Sequence, residues 1–370
     1  MADVDVIVVG ARIAGATTAA LLAERGYRVL LLDRAVFPSD TLSTHFFRAP
    51  ALRVFRRLGV YDDVALSAPH LTVQYTSIDE HELTDRVQAE DDLTYYLCVR
   101  RVLLDDILVR RVRKEPLVDF REGARAVDLL QEHGRAIGVS WTQGGRAFET
   151  TARVIVGADG FYSRIARLVQ PTTERAEPVN RAMYYSYYAG LEPVEGPAAE
   201  FHSSVHVDSL VYVFPCDGGL TLVAVSVPMT QFGAFREAPD VMLERSLYSR
   251  RNLAPRLQAA TRVSRVLGAG NIPGYMRVPY GPGWALVGDA GLIMDPFSGQ
   301  GIDQASTHAA QLAEALHAFL GGESSWEDAM AGFHRVRNAF TQETYLRTCT
   351  GSRDLRVGAR ARLKVRGIDV

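Results

Sequence analysis

Lysine is nearly missing from this chain. Lys114 and Lys364 are the only two in 370 residues, and almost all positive charge is arginine, as GC-rich coding would give. A reaction that needs a lysine ammonium has only those two positions to use. Cysteine is also scarce. Cys98, Cys216 and Cys349 are odd in number and far apart, so they offer no metal spacing and suit a reducing compartment. No apolar run approaches the ~20 residues that span a bilayer, so no membrane span is expected. The start, Met1-Ala-Asp-Val-Asp5, lacks the basic flank and apolar stretch of a signal peptide, and the cytoplasm is the expected location. A net charge of −2 gives no footing for nucleic acid or an anionic membrane.

The chain does have enough apolar material for a full core: 47% of it is hydrophobic and 23% charged. Its length fits about two domains. Val4 to Val9 is a β-branched run bounded by Gly10, Ala14 to Arg25 is helical with Gly26 closing it, and Arg28 to Leu32 is a second buried strand. This βαβ unit implies a parallel sheet. Thr41 to Leu58 leads from a loop into an arginine-bearing helix, and Val99 to Val112 has helical spacing. Arg125 to Leu130 and Ala136 to Trp141 form a hairpin around His133-Gly134, and Val154 to Val156 is a buried strand. From about Glu177 to Pro279, strands follow one another without intervening helices, which reads as an antiparallel sheet on the substrate side.

Three segments carry chemistry. In Trp284 to Ile302, an apolar run ends on Gly288-Asp289, a loop containing Pro296 and Gly299 follows, and an Ala-rich helix begins near Gln304. The carboxylate can accept from ligand hydroxyls, and the helix end offers free N–H groups to negative charge. Gly10-Ala-Arg12-Ile-Ala14-Gly15 follows a strand and opens a helix, with Asp33 ending the next strand where an acid binds a ribose hydroxyl. Arg12 stands where the second glycine of that fingerprint would be, which is tolerable if its side chain points away. In Val154 to Arg164, a strand again ends on a Gly and an acid, here Asp159-Gly160. Ser163 then opens a basic helix, which reads equally as a ligand loop or as a capped turn.

Together these motifs resemble the group A FAD-dependent monooxygenases, the para-hydroxybenzoate hydroxylase-like proteins. That superfamily also contains the geranylgeranyl reductases and the flavin-dependent halogenases. Arg101-Val-Leu-Leu-Asp105 and the Phe37 to His45 loop are similar to further family segments, and the resemblance covers most of residues 1–320. It implies an α/β fold: a Rossmann-like FAD-binding domain, an interleaved antiparallel β-sheet substrate domain, and C-terminal helices. The expected divisions are 1–70, 99–176 and 279–325 for FAD, 71–98 and 177–278 for substrate, and 326–370 for the C-terminal helical segment.

By the same resemblance, Gly10, Ala14 and Gly15 take the pyrophosphate, with Arg12, the departure from the motif, a cofactor-side candidate if it turns toward the ligand's charge, and Asp33 and Arg34 meet the adenosine. Thr44 follows in the loop after the second strand. Arg101 meets the phosphates, Val127 the adenine, and Asp159-Gly160 serves FAD and nicotinamide. Gly288-Asp289 binds the ribityl chain, and Gly299, Gln300, Gly301 and Ile302 bring helix N–H groups to the flavin, where reduced flavin carries negative charge. No second glycine-rich βαβ motif appears, so NAD(P)H is expected as a transient co-substrate.

The implied reaction is hydroxylation of an aromatic or polycyclic small molecule with NAD(P)H and O2, through a C4a-hydroperoxyflavin. Two alternatives stand beside it: a flavin-dependent reductase of carbon–carbon double bonds, and a non-catalytic FAD-binding protein. A halogenase is disfavoured, because neither lysine lies where that chemistry needs one and the Trp-x-Trp-x-Ile-Pro motif is absent. His45, Tyr212 and Pro296 are the candidates for catalysis. His45 is expected near the flavin ring, Tyr212 on a cavity wall, and Pro296 at the flavin border. The strand Tyr184-Tyr185-Ser186-Tyr187-Tyr188 could turn one face to the cavity, with ordinary sheet packing the favoured alternative. The basic tail Arg353 to Arg366 is expected as a solvated helix or a strap over the FAD domain.

Overall fold

The computed structural model describes residues 2–369. Its first sheet has five parallel strands in the spatial order Trp284–Leu286, Arg146–Gly157, Val4–Val9, Val29–Asp33 and Val118–Glu122. The central strands are Val, Ile and Leu runs because both faces are covered. On one face the Ile13–Ala23 helix is buried along its whole length beneath the Arg101–Val112 and Gly301–Leu320 helices. Its small residues make that depth possible: a Cβ on Gly15 would lie 1.7 Å from the Gly10 carbonyl oxygen.

The other face is covered by an antiparallel layer of Arg125–Glu132, Arg135–Gln143 and the outer half of Arg146–Gly157. His133 and Gly134, both at positive φ, make the tight turn. The Arg146–Gly157 strand begins eight residues before the Val154–Val156 run legible in the sequence. Its first half is polar and exposed, and it is held by ladder bonds to Arg135–Gln143, so it carries no apolar signature.

The second sheet is built around Arg181–Ala189, Leu220–Pro228 and Leu210–Pro215, all antiparallel. Ala198–Ser203 follows, then Val73–Ile78 and His81–Arg86 at one edge, with one parallel pairing between Ala198–Ser203 and Val73–Ile78. Leu267–Ala269 pairs at the other side. One face packs on the Phe232–Glu237 and Pro239–Tyr248 helices. The other holds an aromatic layer with Tyr185, Tyr187, Tyr212, Phe214 and Phe46. The short Phe46–Phe47 and Leu97–Cys98 strands pair beside this layer.

The Trp326–Arg353 helix packs on Gly301–Leu320. The tail differs from expectation, because Leu355–Val365 straps the second sheet and not the FAD-side layer. Ala359 and Leu363 bury against Ile78 and Val205, while Arg362 and Arg366 pair with Asp85. A buried leucine contributes roughly 1.5–3 kcal/mol, which outweighs exposed ion pairs of about 0–1 kcal/mol. Among the described residues no helix is long and apolar enough to cross a membrane.

Candidate functional site

The C-terminal ends of the parallel strands open into one cavity of about 1390 Å³ that the second sheet closes from the side. Gly10 turns the chain out of the first strand at φ +101°, and a Cβ there would sit 2.4 Å from the Ala158 carbonyl oxygen. Only glycine fits this close approach. Asp33 ends the next strand and accepts from the N–H groups of Ala11 and Ala35, each at 2.7 Å. Each of its oxygens keeps further acceptor capacity, and the residue lines the cavity.

Arg12 is accommodated because its guanidinium is bound elsewhere. It donates to Asp105 Oδ2 at 2.5 Å and to Ser39 and Asp40 of the following loop. The other oxygen of Asp105, which is fully buried, accepts from Arg101 at 2.9 and 3.0 Å. One carboxylate thus holds two arginines at the cavity wall, which leaves the wall net positive and suited to phosphate.

The two Gly-Asp strand ends differ. Asp159 is spent inside the protein: it accepts from Ser163 Oγ and Arg164 N at 2.5 Å and from Ile165 N at 3.2 Å, while Ser163 caps Ala166 N. Burial raises its pKa against those bonds. The Asp289 carboxylate accepts no hydrogen bond among the described residues, while its backbone oxygen accepts from Tyr275 Oη at 2.5 Å. It lies deep among protein atoms with an opening on the cavity, and burial pushes its pKa to about 6, with Arg101 opposing. Gly288 turns at φ +61° with Ala14 against it.

The Gly301–Leu320 helix begins at this cavity with no side-chain cap, so its first N–H groups are unmet there. Arg48 fixes its entry by donating to Gly299 O at 2.9 Å and to Asp303 Oδ2 at 3.2 Å, and its backbone N–H donates to Asp303 Oδ1. Neither Arg48 nor Asp303 is marked by a motif. A buried acid in a first helical turn was the available clue.

Of the residues expected to hold a cofactor, Gly10, Arg12, Ala14, Asp33, Arg34, Thr44, Arg101, Val127, Asp159, Gly160, Gly288, Asp289, Gly299, Gln300, Gly301 and Ile302 line the cavity. Val127 sits in a strand bulge, with its carbonyl taken by Arg164 Nε. Gly15 does not line it, because its place is the packed contact with Gly10.

The catalytic candidates separate. Pro296 lines the cavity, but His45 and Tyr212 do not. His45 is wholly buried at φ +58°. Its Nδ1 accepts from Arg101 N at 3.3 Å, so the ring proton lies on Nε2 and is donated to Tyr187 Oη at 2.6 Å. Burial, then Arg101 and Arg100, lower its pKa to about 3, so it is neutral at pH 7. It ties the loop to a helix start behind the wall. Tyr212 donates to Phe297 O at 2.6 Å and is sealed within the aromatic layer.

Of the wall beyond the strand ends, the sequence offered only the tyrosine strand, and there the adjacent Tyr184 and Tyr185 line the cavity, not one alternating face. The wall contains Met183, Tyr184, Tyr185, Phe232, Phe235 and the exposed Arg236. Tyr184 and Phe235 stack at 4.5 Å. Gly268 and Gly270 lie flat on the rings of Tyr184 and Phe232, where a Cβ would come within 2.2 and 2.3 Å.

A cradle that a Cβ would fill, an acid without partners and an uncapped helix end match a ligand with phosphates and sugar hydroxyls. Comparison with known proteins gives the same answer. A family model described as FAD binding domain matches residues 3–267. Digeranylgeranylglycerophospholipid reductase 1 of Methanopyrus kandleri is 26% identical over 307 residues, which are 82% of this chain and 77% of that protein. The myxobacterial chondrochloren halogenase CndH is similar in structure, with TM-score 0.84 and 25% identity over 93% of this chain and 81% of its own. So is p-nitrophenol 4-monooxygenase PnpA from Pseudomonas putida, with TM-score 0.78 and 21% identity over 95% and 89%, a likeness of fold.

Proposed function

The chain belongs to the FAD-binding-domain family of flavin oxidoreductases, and from that premise we propose that it is an NAD(P)H-dependent monooxygenase acting on an aromatic or polycyclic small molecule. The observation that carries this reading is the aromatic wall of Tyr184, Tyr185, Phe232 and Phe235, in the same cavity as the uncapped helix end. Flat rings stack on such a wall at about 0.5–1.5 kcal/mol per pair beyond the area they bury. Bound flavin supplies two-electron transfer from NAD(P)H to dioxygen.

The protein's own groups do the rest. Gly10 and the Arg12–Asp105–Arg101 set receive phosphates, and Asp33 and Asp289 accept from sugar and ribityl hydroxyls. The Gly301–Leu320 N–H groups stabilise negative charge on the ring. The aromatic wall orients substrate and excludes water. His45 holds the Ser43–Thr44 segment in place and takes no proton.

Reduction of a polyprenyl double bond is the second reading, favoured by the name of the archaeal relative. Against it, the aromatic face of the second sheet is filled by Phe201, Tyr212 and Phe214, none of which lines the cavity. Halogenation fits less well, since neither lysine is among the lining residues. A panel of aromatic compounds tested under isotopically labelled oxygen, reading NAD(P)H consumption, peroxide and product mass, decides the matter. Label in a product coupled to NAD(P)H loss is expected. Anaerobic NAD(P)H-dependent reduction of an alkene, with no label under air, would overturn the reading.

A further inference from the structure

A second, much smaller cavity lies behind the first. It is about 10 Å³, the space of roughly one water molecule, and is lined by Glu177, Tyr345, Thr348, Cys349 and Ser352 among others. Only Met294 and Asp295 line both cavities, and of those two only Asp295 can carry a proton. Asp295 is 9% exposed. Its Oδ1 accepts from Phe297 N at 3.1 Å, and its Oδ2 has no donor among the described residues.

On the far side, the hydroxyl of Tyr345 is buried without a hydrogen-bond partner, with the Cys349 thiol beside it but not in bonding geometry. A buried hydroxyl left unmet costs about 1–3 kcal/mol, and a single water in this space would satisfy it. Glu177 completes the lining. Its carboxylate pairs with the exposed Arg353 at 2.9 Å, so this end of the small cavity reaches solvent.

We propose that Asp295 is the proton-transfer residue of this enzyme, passing protons between the flavin cavity and solvent through the one-water cavity closed by Tyr345 and Glu177. The proposal rests on flavin oxidoreductase chemistry and not on the choice of substrate. Hydroxylation consumes NAD(P)H, one proton, O2 and substrate, and yields NAD(P)+, product and water. Reduction of a double bond consumes NAD(P)H and one proton. Either way one solvent proton must reach the reacting groups per turnover. In the step, the Asp295 O–H bond breaks as the proton passes to an acceptor in the main cavity. The carboxylate then takes a proton from the water in the small cavity, which is replenished from solvent past Glu177.

The charged and titratable groups facing Asp295 are Arg181 and Tyr212 of the second sheet, Tyr345 and Cys349 of the Trp326–Arg353 helix, and Glu177. Burial outweighs the opposing Phe297 bond and Arg181, and holds the carboxyl at about 6, where both proton states are populated near neutrality.

The test is infrared titration of the FAD-loaded protein. Because Asp289 is shifted the same way, the readout is the difference between wild type and Asp295→Asn, which is expected to show a carboxylic-acid C=O band that disappears as pH rises through about 6. Asp295→Asn, which keeps shape and the acceptor for Phe297 N, is expected to lose that band. It should also slow turnover roughly a hundredfold, abolish the matching limb of the pH–rate profile, and leave FAD affinity within about threefold. Tyr345→Phe should shift the band and raise the solvent isotope effect on turnover. Absence of that difference band, or Tyr345→Phe moving neither band nor pH profile, overturns the relay. The infrared readout needs no substrate, so failure to find an oxygenated product would sink the monooxygenase reading and leave this one standing.

Discussion

The loops at residues 157–164 and 287–302 begin alike and end differently. Each follows a buried strand of the first sheet, carries a Gly and an Asp, and leads toward a helix. In the first loop the helix starts five residues after the acid, close enough for Asp159 and Ser163 to satisfy its N–H groups. The donors and the acceptor cancel, and the helix is short. In the second loop, Asp295, Pro296 and Gly299 hold acid and helix apart, and the helix runs for 20 residues. Asp289 keeps its acceptors, and the helix keeps its donors. Both line one cavity. A buried polar group that goes unmet is costly, so a protein keeps such a pair where a ligand meets them. Chain length between acid and helix thus decides whether the acid caps the helix or is left with its acceptors free.

Replacing each acid by alanine breaks this comparison most sharply. Asp289→Ala is expected to weaken FAD binding roughly a hundredfold, about 2–3 kcal/mol for lost charge-assisted bonds, in a fluorescence titration of flavin into FAD-free protein. The FAD-free variant should melt higher than wild type at pH 8. The sign follows from the raised pKa of about 6 against the ordinary 3.8. The folded protein holds that proton more tightly than the unfolded chain does. The stabilisation is full below pH 3.8 and is lost as pH climbs through 6. The advantage of Asp289→Ala should therefore shrink toward zero below pH 4, while Asp295, shifted in the same direction, keeps its own slope. A variant that binds FAD as wild type does would remove Asp289 from the site.

Asp159→Ala should do the reverse, and less. The Arg164–Val169 helix loses its acceptor for two backbone N–H groups, and the protein is expected to lose about 1–2 kcal/mol in urea unfolding. FAD affinity should stay within about threefold. A large loss of affinity at constant stability would return Asp159 to the ligand role its motif implies.

The sequence carried the main-chain part of this site well. Gly10, Gly288 and Gly299 are forced by backbone geometry at strand and helix ends, and such constraints leave a local pattern. Whether Asp159 or Asp289 keeps its lone pairs free depends on which N–H groups come within 3 Å. That choice is made by the fold. The side-chain wall was less legible, because Tyr184, Phe235 and Gly268 meet only through sheet pairing across some eighty residues. His45 misled for a related reason: its position beside cavity residues Thr44 and Phe46 was right, but its ring turns inward at positive φ to Tyr187.

The smallest expected effect tests the helix end by itself. Gln300 precedes the first turn of the Gly301–Leu320 helix, lines the cavity and caps nothing with its side chain. Gln300→Glu keeps size and places a negative charge at the positive end of the dipole, worth about 0.3–1 kcal/mol to the FAD-free protein. The same charge competes with the ligand for that field. Thermal melting of FAD-free protein should rise slightly, FAD affinity should fall by about three- to fivefold, and the potential of bound flavin should become more negative, because its reduced anion is less favoured. Two of these shifts oppose each other in sign. A variant that merely perturbs packing would lower melting temperature and affinity together, so opposite movement is the mark of donors held open for the flavin.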